Sequence, residues 1–263
     1  MAELLVWPIL VAYGEAAVAF FGNARRPGTY GLLATWGVRL GWVAQTGLLA
    51  VQAVRANGFP WDTWAGSLNL FVWLVVGAYL IWGCRARFRL LGLGVMPLVF
   101  GLLLLAWAGG GTAVGSESRY PDLFLVLHVG LVLAAFAGFT LAAALSGLYL
   151  WQEHQLKRHE GARMLRLRAP SLVSLDATSA RTIAVALPAL TLGIGAGLAR
   201  LASEGGELDP LMIFTGLAWL VYALFLVVRY GLGWHGRRAA MLVLLGFALV
   251  ILVRIGLPVT HFS

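Results

Sequence analysis

The histidines are the first side chains in this sequence whose type and spacing invite chemistry, and there are five of them. His154 and His159 sit in a basic stretch and His235 in a short connection, where solvation accounts for them. His128 and His261 stand apart. His128 lies about one turn inside the start of the fifth long apolar run, and His261 lies just past the eighth. Imidazoles from two helices at one membrane face could ligate a metal ion, or a haem iron from its two axial sides. They could equally be two interfacial histidines with no shared ligand, and position alone leaves both readings open.

Ionisable residues inside the apolar runs form a second group. Glu15 lies roughly 12 Å along its helix from the connection at Asn23, and Arg39 roughly 15 Å beyond that connection on the next helix. The matched depths predict a buried ion pair between adjacent helices. A transporter would show several such groups along a path, with inverted repeats and broken helices, and the two halves show no convincing repeat. The single cysteine, Cys84, excludes an intramolecular disulfide and CxxC chemistry. No metal-ligand spacing, phosphate loop or nucleophile–base arrangement is visible, so an enzyme reading has little support. The glycines of Gly193–Gly197 and from Gly138 to Gly147 read as close helix packing, with no chemistry assigned.

The elements that carry these residues follow from composition. Of 263 residues 60% are hydrophobic and 11% charged, where a soluble domain carries roughly 25% charged residues. The solvent of such a chain is mostly lipid. Apolar runs able to cross roughly 30 Å of hydrocarbon fall at about 4–22, 30–54, 64–83, 88–109, 123–152, 182–202, 211–232 and 239–258. Cations concentrate in alternate connections: Arg25 and Arg26; Arg85, Arg87 and Arg89; Lys157, Arg158, Arg163, Arg166 and Arg168; Arg237 and Arg238. The other connections carry mainly Asp62, Glu117, Asp122, Glu204, Glu207 and Asp209. The positive-inside rule makes the first set cytoplasmic, so both termini lie outside, as an even number of helices requires. The expected fold is an all-α polytopic membrane protein of about eight transmembrane helices with extracytoplasmic termini. Met1-Ala2-Glu3 lacks the basic region of a signal peptide, so the first run reads as a retained helix. In a soluble protein the net charge of +8 would suggest nucleic acid; sorted by membrane side, it points to lipid headgroups instead. The long inner connection, about 153–181, reads as a solvated basic loop, with residues 171–180 as a short interfacial helix.

Local sequence adds a resemblance. Leu127-His128-Val129-Gly130, then Ala135-Phe136 and Phe139, then Gly147-Leu148-Tyr149-Leu150-Trp151-Gln152-Glu153 with Leu156-Lys157, resembles the CcsA/ResC/CcmC cytochrome c assembly family, and most closely its HemX/YpjD branch. Ala189-Leu190-Thr191-Leu192-Gly193-Ile194 with Gly197 is similar to a second family motif. So are Asp209-Pro210 with Trp219 and Tyr222, and Arg229 with Gly233-Trp234, Gly236-Arg237-Arg238-Ala239-Ala240 and Gly246-Phe247. Gly58 to Pro60, Ser67-Leu68, Phe71 with Trp73, and Met96-Pro97-Leu98 fit more loosely. The resemblance frames residues 1–263 as one transmembrane domain, with a looser first half (1–110) and a family-like core (120–263).

The resemblance implies haem handling in c-type cytochrome biogenesis at a bacterial-type inner membrane, with a membrane partner of the maturation machinery and apocytochrome c as partners. It implies two external histidines as axial ligands of haem iron, His128 by motif and His261 as the candidate second. Arg119 or Arg200 would neutralise propionates, and Trp61, Trp64 and Tyr120 would cover the porphyrin. Two departures bear on this. No tryptophan stands between Arg200 and Asp209, where the family has a tryptophan-rich loop. The membrane histidines of larger members are also missing, one replaced near Gln45 to Leu48 and the other by Val227. The chain therefore reads as a reduced, accessory-type member. An accessory or regulatory subunit of a haem-related complex, without haem of its own, is the competing expectation.

Overall fold

A computed structural model describes residues 5–25, 29–56, 61, 63–82, 86–114, 123–158, 169–204 and 210–252. All regular structure among them is helical: α1 (Val6–Arg25), α2 (Thr29–Arg55), α3 (Trp64–Trp82), a 3-10 turn (Ala86–Leu91), α4 (Gly92–Ala108), α5 (Leu123–Lys157), α6 (Leu172–Glu204), α7 (Pro210–Gly231) and α8 (Arg237–Ile251). These eight helices occupy the places of the eight apolar runs. Five are long and apolar enough to cross a membrane, α1, α3, α5, α6 and α7, and α4 is a shorter apolar helix. The chain is an all-helical polytopic membrane protein.

Contacts divide the chain into two compact units, α1–α4 and α5–α8. In the first, α1 packs on α2 and α4, and α3 packs on the same two helices. The α1–α2 contact depends on small residues: a Cβ added at Gly37 would stand 3.0 Å from the Ala12 carbonyl oxygen and 3.3 Å from Ala16 Cβ. Without a hydrophobic drive between helices in lipid, such close backbone approach supplies much of the packing. Polar side chains that cost the α2 span its apolarity turn inward, Gln45 and Gln52 both fully buried, one face apart by seven residues. There they join a connected network. Tyr13 Oη–H donates to Gln45 Oε1 at 2.8 Å, and Gln45 Nε2 donates to Asn69 Oδ1 at 2.9 Å. Asn69 Nδ2 and Trp61 Nε1 both donate to Gln52 Oε1 at 3.2 Å. Gln52 Nε2 donates in turn to the carbonyls of Gly111 (3.1 Å) and Ala113 (2.8 Å), beyond the end of α4, where Gly110 takes φ 78°.

In the second unit α5 packs on α6 and α8, and α7 packs on α6 and α8. The α5–α6 pair is antiparallel and regular: Gly138 opposes Ala186, and Ser146 Oγ lies 3.1 Å from Ser179 Oγ, which also donates to the Ala142 carbonyl at 3.2 Å. Phe136 and Phe139 of the α5 motif are core residues, and Phe139 stacks on Tyr222 of α7 with ring centroids 3.7 Å apart. The turn between α7 and α8 is held by an ion pair: Arg229 Nη1 meets Asp176 Oδ2 at 2.7 Å and donates to the Trp234 carbonyl at 3.3 Å. The Gly236 N–H donates to Asp176 Oδ1 at 3.2 Å, and Gly233 and Gly236 take φ 67° and 72°, conformations that favour glycine.

Two expectations are corrected. Residues 171–180 are not a separate interfacial helix but the first turns of α6, which runs unbroken to Glu204. Ser171 starts it, its hydroxyl accepting from the Ser174 N–H at 3.2 Å, and burial of Leu175, Thr178 and Ser179 holds it to the bundle. Glu15 and Arg39 do not form the expected buried ion pair: both side chains lie on exposed faces, and Arg39 sits over the Trp36 ring at 5.4 Å. Ala12 and Ala16 face α2, so Glu15, one residue from Ala16, is turned roughly 100° away.

Candidate functional site

His128 stands near the start of α5, half-buried, against the far end of α6. Its Nδ1 lies 2.7 Å from the Gly193 carbonyl oxygen. A carbonyl can only accept, so Nδ1 carries a proton, and in the neutral ring Nε2 is the nitrogen with the lone pair. Four residues along α6, Gly197 presents its bare Cα to the ring, and a Cβ there would stand 2.7 Å from His128 Cε1. At Gly193 a Cβ would stand 2.8 Å from Val132 Cγ2, so the two backbones are close where the carbonyl meets the imidazole. These glycines were expected to serve packing alone; the structure makes them the seat of the candidate ligand. Gly193 and Gly197 share one helix face four residues apart, which the spacing shows, but the spacing does not say what that face meets.

Arg200 extends the same face, three residues beyond Gly197 and roughly one turn, about 5 Å, past the imidazole. Its side chain is partly buried. Thr191, two residues before Gly193, accepts from Trp219 Nε1 at 2.8 Å and donates to the Leu187 carbonyl at 2.9 Å, which fixes an α7 tryptophan on the α6 surface. One imidazole and one guanidinium are therefore brought to one end of the α5–α6 pair.

His261, Arg119, Tyr120 and residues 205–209 lie outside the described residues. Trp61 and Trp64 belong to the α1–α4 unit, where the Trp61 N–H is engaged by Gln52. His154 and His235 are exposed at the opposite end of the second unit, and His235 Nδ1–H donates to the Gly233 carbonyl at 2.5 Å. Val227, which replaces one membrane histidine, is 64% exposed, whereas Gln45, near the place of the other, is buried. Among the described residues no group of three or more His, Cys, Asp or Glu side chains could hold a metal ion. The donor set at His128 is of a different kind: a single imidazole with one nitrogen tied to a backbone carbonyl, as axial haem ligands are oriented. The residues described here fit one axial side of a haem.

Sequence reasoning also passed over Asn69, Gln52 and Asp176. The first two were legible as polar residues within apolar runs; Asp176 was hidden in the stretch read as a short interfacial helix.

The fold defines a polytopic helical membrane protein, with an imidazole and a guanidinium brought to one end of a helix pair. The chain belongs to the cytochrome c assembly protein family, whose model matches residues 61–261. It is 27% identical over 227 residues to the protein HemX of Brevibacillus brevis, covering 84% of this chain and 82% of the relative. It is 25% identical over 295 residues to the cytochrome c biogenesis protein CcsA of Synechococcus elongatus, covering 94% and 89%. A second CcsA, from Gloeothece citriformis, is 25% identical over 268 residues, covering 83% and 82%. No solved structure matches the chain.

Proposed function

We propose that this protein serves c-type cytochrome maturation in a bacterial-type inner membrane by holding haem, as cargo, at its extracytoplasmic face. His128 Nε2 supplies one axial ligand and His261 the other, and Arg200 neutralises a propionate one turn further out. The haem passes to an apocytochrome c with the help of a membrane partner of the maturation machinery. The observation that carries this reading is the His128 Nδ1–Gly193 hydrogen bond, which fixes the tautomer an iron ligand needs. The names of the CcsA relatives and the charge bias that puts the start of α5 outside support it.

A second reading has its own observation. Position 227 is an exposed valine, and Gln45 is absorbed in an amide network with Tyr13 and Asn69, so neither place of the missing membrane histidines offers an iron ligand. This favours an accessory subunit of a haem-related complex that binds no haem itself. Absorption spectra of the detergent-purified protein, expressed with ample haem, separate the two. A six-coordinate spectrum lost in His128→Ala and in His261→Ala supports the haem-holding reading. A colourless wild type that cannot be reconstituted with haem sinks it in favour of the accessory subunit.

A further inference from the structure

We infer that Gly193 and Gly197 of α6 are positioning residues that seat the His128 imidazole with Nε2, rather than Nδ1, presented to a ligand. The purpose of that seat rests on the haem reading above; its existence does not, and it can be tested on protein that has never met haem.

The two glycines do different things. Gly193 lets α5 and α6 approach: any larger residue would meet Val132, with its Cγ2 at 2.8 Å and backbone nitrogen at 3.2 Å from the added Cβ. That approach brings the Gly193 carbonyl within 2.7 Å of Nδ1. Gly197 makes room for the ring itself. A Cβ there would lie 2.7 Å from Cε1 and 2.8 Å from Nδ1, but 3.5 Å from Nε2. The imidazole thus rests on α6 by its Nδ1–Cε1 edge, with Nε2 turned away from the helix. A methyl group at 197 would lift that edge and break the bond to Gly193. In water the neutral imidazole favours its proton on Nε2, the nitrogen an iron needs bare, so the carbonyl reverses the ring's own preference. Donation from Nδ1 also makes Nε2 the more basic ligand. Gly195, between the two glycines in sequence, turns to open space with no atom within 4 Å of an added Cβ, which makes it the matched control.

The test uses haem-free protein labelled with 15N-histidine in detergent, read by proton–nitrogen correlation of the imidazole rings, with His128 assigned by its loss in His128→Gln. Wild type and Gly195→Ala show the Nδ1–H pattern at His128; Gly197→Ala loses it. An Nε2–H pattern in the wild type overturns the inference without reference to any variant. So does an unchanged Nδ1–H pattern in Gly197→Ala. On haem-loaded protein, Gly197→Ala weakens haem binding at least about tenfold and converts the six-coordinate spectrum to a high-spin one, which added imidazole restores. An Nδ1–H pattern in a protein that takes up no haem supports the seat and removes the haem reading. Haem held with an unchanged spectrum in Gly197→Ala removes the seat and leaves the haem reading standing.

Discussion

The α1–α4 and α5–α8 units each tie down a glycine-bearing turn, and they do it with opposite chemistry. Beyond α4, the turn at Gly110 leaves two carbonyls, Gly111 and Ala113, and a neutral amide meets both: the two hydrogens of Gln52 Nε2 serve two acceptors. Beyond α7, the turn through Gly233 and Gly236 presents the Trp234 carbonyl and the Gly236 N–H. An ion pair serves both: Arg229 donates and Asp176 accepts. The two turns are thus closed by different kinds of side chain. The consequences differ, because neutral networks degrade by steps whereas a buried ion pair that loses one partner leaves a charge.

The largest effect is therefore expected at Asp176. Asp176→Ala strands the Arg229 guanidinium, 8% exposed, and orphans the Gly236 N–H. We expect a loss of about 3 kcal/mol in the stability of the detergent-solubilised protein, read by denaturant unfolding. A loss below about 1 kcal/mol would show that water or detergent replaces the carboxylate, and the contrast between the turns would collapse.

Gln52→Leu comes next, at about 2 kcal/mol. The Ala113 carbonyl and the Trp61 N–H lose their partner, but Asn69 Nδ2 still reaches the Gly111 carbonyl at 3.3 Å. The redundancy makes the loss smaller than at Asp176, and the ranking of the two variants, measured side by side, is the sharper test.

The elements themselves were legible because lipid leaves a chain few choices: roughly 20 apolar residues per helix, with cations sorted by side. The start of α6 was not. Asp176, Arg181 and the hydroxyls around them lower the apolarity of that stretch, and only tertiary partners, Arg229 for Asp176 and Ser146 for Ser179, make it continuous helix. Depth was legible for Glu15 and Arg39, but depth is one coordinate of a helix surface and azimuth the other; the azimuth, set by Gly37 against Ala12 and Ala16, turns both outward. At the site, His128 was legible by motif, while its seat was not. A glycine facing a methyl group and a glycine facing an imidazole read alike in sequence.

The smallest effect is expected where an ion pair is most conspicuous. Lys157 Nζ lies 2.7 Å from Glu153 Oε1, as short as the Arg229–Asp176 contact. The Lys157 side chain is 61% exposed, however, and the pair sits one helical turn apart at the end of α5. Water solvates both charges when the contact breaks, and holding a lysine in one rotamer costs entropy that offsets much of the attraction. Lys157→Ala should change stability by less than about 0.5 kcal/mol, with an effect that shrinks further in high salt. A salt-insensitive loss of 2 kcal/mol or more, on the order expected for Gln52→Leu, would mean that this end of α5 is covered in the detergent-solubilised protein. Distance alone does not separate the two ion pairs. What separates them is whether anything else can hold the charges once the contact is gone.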